Sequence, residues 1–138
     1  MTSDEFERLL ERIAQGWSAG DADLAAACFA PDAIYIEPPD RQRYVGRAAI
    51  WELSGGEDPP PMSMTWHQVV FDEGRQLGAG EYTFRGRRQY HGLVIIEVHD
   101  GVIRRWREYQ YASDLPWDEF VADSAFDGAA LDDSDPAP

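Results

Sequence analysis

Residues 89–111 read "QYHGLVIIEVHDGVIRRWREYQY", and how this stretch is read decides the fold. Two runs rich in β-branched and aromatic residues, Gln89–His99 and Val102–Tyr111, are separated only by the Asp-Gly pair at 100 and 101. A link that short permits an antiparallel hairpin and nothing else. Upstream, strands are predicted at Ser63–Asp72 and Gly78–Arg85, with turns at "DEGRQ" and "RGR". The second half of the chain therefore predicts an antiparallel meander. In its last strand one parity carries Val102, Arg104, Trp106, Glu108 and Gln110, and the other carries Ile103, Arg105, Arg107, Tyr109 and Tyr111. Neither set is cleanly apolar, so alternation alone does not say which way Glu108 faces.

Working outward, the first half is helical. Phe6, Leu9, Leu10, Ile13 and Trp17 recur at spacings of three and four, which predicts an amphipathic helix over 4–19 ended by Gly20. Asp21 is placed to cap a short Ala-rich helix that stops before Pro31, and a third helix is expected around 48–53, closed by Gly55-Gly56. Between them "DAIYIEPPD" (32–40) reads as a strand over Ala33–Glu37, with Ile34 and Ile36 on one face, Tyr35 and Glu37 on the other, and a proline break at once after the acid. The segment 114–123 is expected to give a last helical turn, capped by Asp114, that lays Trp117 and Phe120 on the sheet. Helices first and a bent antiparallel sheet second make an α+β plan: a cone-shaped barrel in which the sheet curls round the helices and leaves a central apolar pocket. One domain is expected over residues 1–122, followed at 123–138 by an acidic, flexible tail.

Composition narrows the function classes. A formal net charge of −14 disfavours nucleic acid and anionic membrane surfaces as partners. All 12 basic residues are arginine, which removes lysine Schiff-base chemistry and pyridoxal attachment. Asparagine is missing as well, a pairing expected of a GC-rich bacterial genome. Cys28 is the single cysteine and reads as a small core residue. No glycine-rich phosphate loop, serine elbow or metal-ligand spacing is present, so no cofactor and no metal are expected. His67 and His91 are scattered, with His91 a candidate lone donor in a pocket, and His99 falls at a solvated turn. The N-terminus lacks a leader pattern and no apolar run would span a bilayer, so a cytoplasmic location is expected.

Segments "WSAGD", "LAAACFAPDAIYIEPP", "YVGRAAI" and "GLVIIEVHDGVIRRWREYQ", in that order, resemble the SnoaL-like branch of the nuclear transport factor 2-like superfamily, over about residues 5–122. The resemblance implies a cone of bent sheet around an apolar pocket, often dimeric through the outer sheet face. It does not imply a single activity. "IYIEPP" is similar to the ketosteroid isomerase segment whose acid before proline is the general base, which maps that role to Glu37, while that enzyme's two oxyanion donors fall on Ile13 and Val94. "RRWREY" is similar to the last strand of limonene-epoxide hydrolases, which maps two inward residues to Trp106 and Glu108 and a water-positioning tyrosine to Tyr35. The arginine and aspartate completing that triad fall near Gly80 and Tyr82 and are absent. By this resemblance Tyr35, Glu37, Trp106, Glu108 and Gln110 face inward, and Trp17, Trp51, Trp66, Tyr82, Phe84 and Val94 are candidate walls. Two functions follow. One is an acid–base enzyme (isomerase, cyclase or hydratase/dehydratase) on an apolar carbonyl-bearing metabolite, with Glu37, Glu108 and Tyr35 as its catalytic residues; the other is a ligand-binding or dimerisation module without chemistry. A homodimer through Leu93, Ile95, Tyr109 and Tyr111 is expected in either case.

Overall fold

The structure, a computed structural model, describes residues 1–126. The amphipathic run forms α1 (Ser3–Ala19), opened by a Thr2–Glu5 capping box and closed by Gly20 in the left-handed region. Phe6, Leu9, Leu10, Ile13 and Trp17 are all buried. Each such burial contributes about 1.5–3 kcal/mol, so α1 is held by its tertiary face more than by its own helix propensity. The short helix α2 (Ala22–Ala26) follows, capped by the Asp21 side chain as the sequence implied.

Strand β1 (Phe29–Glu37) starts four residues before the expected Ala33 and runs through Pro31. The sheet tolerates a proline there because the β1–β6 pairing is irregular between Phe29 and Ile34. The break at Pro38 is a single helical turn, α3 (Pro38–Arg41), and it leads into an edge strand the sequence did not announce, β2 (Gln42–Val45). Four residues with only Gln42 and Tyr44 partly buried give too little pattern to read. Helix α4 (Arg47–Leu53), β3 (Ser63–Asp72), β4 (Leu77–Arg85), β5 (Gln89–His99) and β6 (Val102–Ala112) then follow the expected course.

The six strands lie in the order β2-β1-β6-β5-β4-β3. Neighbours are antiparallel except β1 and β6, which run parallel. The sheet is therefore mixed rather than wholly antiparallel, and it is bent without closing into a barrel. Its inner face packs Tyr82, Val94, Ile96, Val98, Ile103 and Trp106 against α1. Between Glu97 and Val98 the β5–β6 register shifts, so Ile103 and Trp106 both point inward although they have opposite parity. This bulge is why neither alternation of the last strand was apolar.

Helix α5 (Trp117–Val121) is present, but its cap is Pro116 and not Asp114, with no side-chain cap bond. Of the expected tail, residues 127–138 lie outside the described residues. Among the described residues no helix is long and apolar enough to cross a membrane.

Candidate functional site

A cavity of about 360 Å³ opens at one end of the sheet, within the size range of small-molecule sites. Its floor is polar: Tyr35 and Glu37 from β1, Tyr82 from β4, Glu108 and Gln110 from β6. Trp17, Phe84 and Tyr90 form aromatic walls, Leu53 and Met62 close one side, and Arg41 and Gln42 stand beyond the Pro38 turn. All three residues read as catalytic thus share one cavity with Gln110 and with three of the expected wall residues, Trp17, Tyr82 and Phe84.

The remaining wall candidates lie elsewhere. Trp51 sits outside, its indole N–H donating to Asp23 Oδ1 at 2.8 Å. Trp66 is drawn back toward α1 by donation to the Leu10 carbonyl at 2.9 Å and stands behind Tyr82. Gly80 makes room for it, since a Cβ there would come within 2.6 Å of the Trp66 ring. Val94 is fully buried core, and Trp106 lies beneath the floor, stacked on Tyr35 at 5.2 Å. Aromatic spacing cannot separate such packing from lining, because both bury the ring. Of the lining residues not foreseen, Tyr90 was recoverable: it shares its parity with Val94 on β5. Arg41, Gln42, Leu53 and Met62 carry no periodic signal.

The polar floor is one hydrogen-bonded chain. Gln110 Nε2 donates to Glu37 Oε2 at 2.9 Å, the Tyr82 hydroxyl lies 2.8 Å from Gln110 Oε1, and the same hydroxyl meets Glu108 Oε2. Tyr82, Gly92 and Gln110 are successive cross-strand partners on β4, β5 and β6. The lane is open because residue 92 has no side chain: a Cβ there would lie 2.4 Å from Tyr82 Cζ. Glu37 and Glu108 are 7% and 4% exposed. Burial raises Glu108 to about 7, helped by the charge of Glu37 and opposed by hydrogen bonding from Tyr35, Tyr82 and Trp106. The Trp106 indole N–H does not reach good geometry with that carboxyl, and among the described residues it is the one buried side-chain nitrogen without a partner. Burial, and then the Glu108 charge, push both the Tyr35 and Tyr82 phenols up, so both remain protonated donors. A site holding two buried carboxyl groups, one of them raised to about 7, and phenolic donors within one small cavity can move protons to and from a substrate.

His91 does not enter this cavity. It lies on the opposite sheet face, between Thr83 and α5, where Thr83 Oγ1 is 2.8 Å from its Nδ1 and the Leu115 carbonyl is 2.7 Å from its Nε2. Cys28 is buried, its thiol directed at the Leu24 carbonyl, and burial pushes that thiol up, as suits a packing residue.

The sequence model of the SnoaL-like domain matches residues 10–106. No curated protein matches the chain. Among solved structures, a protein of unknown function with a cystatin-like fold from Methylobium petroleophilum is similar over 100% of this chain and 96% of its own, at 21% identity and a TM-score of 0.70. An LEH-like epoxide hydrolase of M. tuberculosis is similar at 20% identity and a TM-score of 0.66, over 78% of this chain and 84% of its own. SalBIII, an epoxide hydrolase/cyclase-like enzyme of pyran ring formation in the polyether salinomycin, aligns at 14% identity and a TM-score of 0.68, over 80% and 95%. At such identities the likeness shows the fold alone.

Proposed function

We propose that this chain, which belongs to the SnoaL-like domain family, is an acid–base enzyme acting on a small, largely apolar molecule that carries a carbonyl group. The observation that carries this reading is the carboxyl pair: Glu37 and Glu108, both buried, open into one cavity and are joined through Gln110 and Tyr82. Glu37 takes a proton from the carbon next to the carbonyl. The C–H electron pair moves into the developing enolate, whose oxygen needs a hydrogen-bond donor. Ile13 and Val94 cannot supply one, but Glu108, protonated at and below about pH 7, and the phenols of Tyr35 and Tyr82 can. Returning the proton at another atom completes an isomerisation; attack of the enolate carbon on a second carbonyl, whose π pair moves to its oxygen and takes the proton back from Glu37, completes a cyclisation. The aromatic walls suit an apolar substrate skeleton.

The test is hydrogen–deuterium exchange at the carbon next to the carbonyl, followed by NMR over a panel of small ketones and enones. Wild type should accelerate exchange for at least one compound, and Glu37→Gln should lower that rate by about 10²- to 10⁴-fold. If wild type exchanges none faster than Glu37→Gln while still binding some of them, the cavity is a binding module.

A homodimer through the outer sheet face belongs to the same proposal. Leu93, Tyr109 and Tyr111 are 41%, 48% and 67% exposed on adjacent strands β5 and β6. Light scattering at micromolar concentration should give about twice 15.6 kDa, and a monomer mass would sink it.

A further inference from the structure

The floor of the cavity is short of one hydrogen. Its chain has three links, Glu108 to Tyr82, Tyr82 to Gln110 and Gln110 to Glu37, and each link consumes one hydrogen. Tyr82 owns one, and the Gln110 amide can offer one along this line because its oxygen faces the other way. The third must come from a carboxyl group. With Gln110 Nε2 toward Glu37, the Tyr82 hydrogen is drawn to Gln110 Oε1, and the Glu108 link closes only if Glu108 is the protonated partner. With the amide turned over, Nε2 donates to the Tyr82 oxygen, Tyr82 donates to an ionised Glu108, and the remaining link closes only if Glu37 carries the proton.

Resting on the acid–base reading of this cavity, we infer that Gln110 is a positioning residue that makes Glu37 and Glu108 hold one proton between them, the orientation of its amide deciding which is the acid and which the base. Both orientations satisfy every link, whereas loss of the last proton breaks one in a buried site, where an unmade hydrogen bond is expensive. The other polar or charged groups lining the cavity are Tyr35 of β1, Tyr90 of β5, Gln42 of β2 and, at the Pro38 turn, Arg41. None of them bridges the two carboxyls among the described residues. A site of this kind enters each turnover with one acid and one base already assigned, and a reaction that moves a proton between two substrate atoms exchanges the two roles.

The test is carboxyl-carbon NMR titration of the full chain, with Glu37 and Glu108 assigned from their Gln variants. In wild type the Glu108 carboxyl carbon should respond to a step at about pH 7, and the same step should be visible at the Glu37 carbon. In Gln110→Met the Tyr82 hydrogen is free to serve an ionised Glu108, so the Glu108 midpoint should fall by about one pH unit and vanish from the Glu37 curve. Tyr82→Phe should move Glu108 the opposite way, since its anion loses a donor. Opposite shifts in the two variants, each with an unchanged circular dichroism spectrum, support the inference. Independent titrations in wild type, or an unmoved Glu108 in Gln110→Met, overturn it. The readout needs no substrate. A shared step without turnover supports the inference and removes the enzymatic reading, and turnover without a shared step does the reverse.

Discussion

Two hydrogen-bonded chains sit back to back on β4, one through Tyr82 on the inner face of the sheet and one through its neighbour Thr83 on the outer face. The outer chain fixes its own directions. The Leu115 carbonyl can only accept, so His91 Nε2 carries the hydrogen, and in the neutral imidazole Nδ1 is then the acceptor. Thr83 must then donate to Nδ1, and its oxygen accepts from His67 Nε2 at 2.6 Å. Three links find three hydrogens without calling on any extra proton, under a lid in which Trp117 stacks on His67 at 4.0 Å and Phe120 lies over His91 at 4.3 Å. The inner chain has the same number of links but reaches from β4 over Gly92 to β6 and on to β1, and it closes only with a proton taken up by a carboxyl. The outer network is complete as folded and holds α5 in place. The inner network keeps an exchangeable proton, which a structural network has no need of.

Four experiments would break or sharpen that contrast. The largest effect is expected at Glu108. Its carboxyl titrates at about 7 in the fold, against an ordinary 4.5 in the unfolded chain, so between those values the folded state holds a proton the unfolded state has lost. Its stabilising share is full below about pH 4.5 and is lost as pH rises through 7, on the order of 3 kcal/mol. Urea unfolding at pH 5, 6, 7 and 8 should show this decline in wild type, reduced by that amount in Glu108→Gln. Parallel curves for the two proteins would place Glu108 in water and end the contrast.

Thr83→Val should cost about 2 kcal/mol, because it leaves His67 and His91 facing each other across a methyl group. Its melting temperature should drop with no change in the carboxyl titration, and a change there would mean that the faces are coupled through β4. Gly92→Ala should cost about 1–3 kcal/mol by overpacking. Here the displaced phenol should also weaken the Tyr82–Glu108 link and lift the Glu108 midpoint; an alanine variant with an unmoved midpoint would show that Tyr82 needs no empty lane. The smallest effect is on the outer face. Burial, with help from His91 and Arg85 and against Asp118, holds His67 below the ordinary 6.5, so its stabilising share is present above that value and fades as pH falls through it. The protection of the Phe120 amide, which donates to the Pro116 carbonyl, measured against its intrinsic exchange rate, should fall at pH 5.5 relative to 7.5. Equal protection at both values would show that protonation does not loosen α5.

The meander was legible in the sequence because the Asp-Gly turn and the period-two runs from 63 to 111 are local signals, and α1 was legible through its spacing of three and four. The resemblance of "IYIEPP" and "RRWREY" to known strands placed Tyr35, Glu37 and Glu108 together, which alternation alone could not do, since the extra residue near Arg104 reverses parity within β6. The Gln110 bridge was out of reach for another reason. It depends on which strands become neighbours and on an absent side chain at Gly92, neither of which leaves a mark on the residues that use it. The histidines misled for a related reason, as His67 falls at the β3 irregularity and His91 on the face that α5 happens to cover.

The parallel pairing of β1 with β6 sets when the site comes into being. Strands β3 to β6 can zip through short turns, but Glu37 and Gln110 are 73 positions apart and meet only once the amino-terminal strand has been carried to the far end of the sheet. Closing so long a segment is slow compared with hairpin formation. On the ribosome β1 has to wait for almost the whole chain, and in refolding the meander is expected to precede the cavity. The proton-sharing pair is then the last feature this polypeptide acquires, and the first it gives up when the edge of the sheet opens.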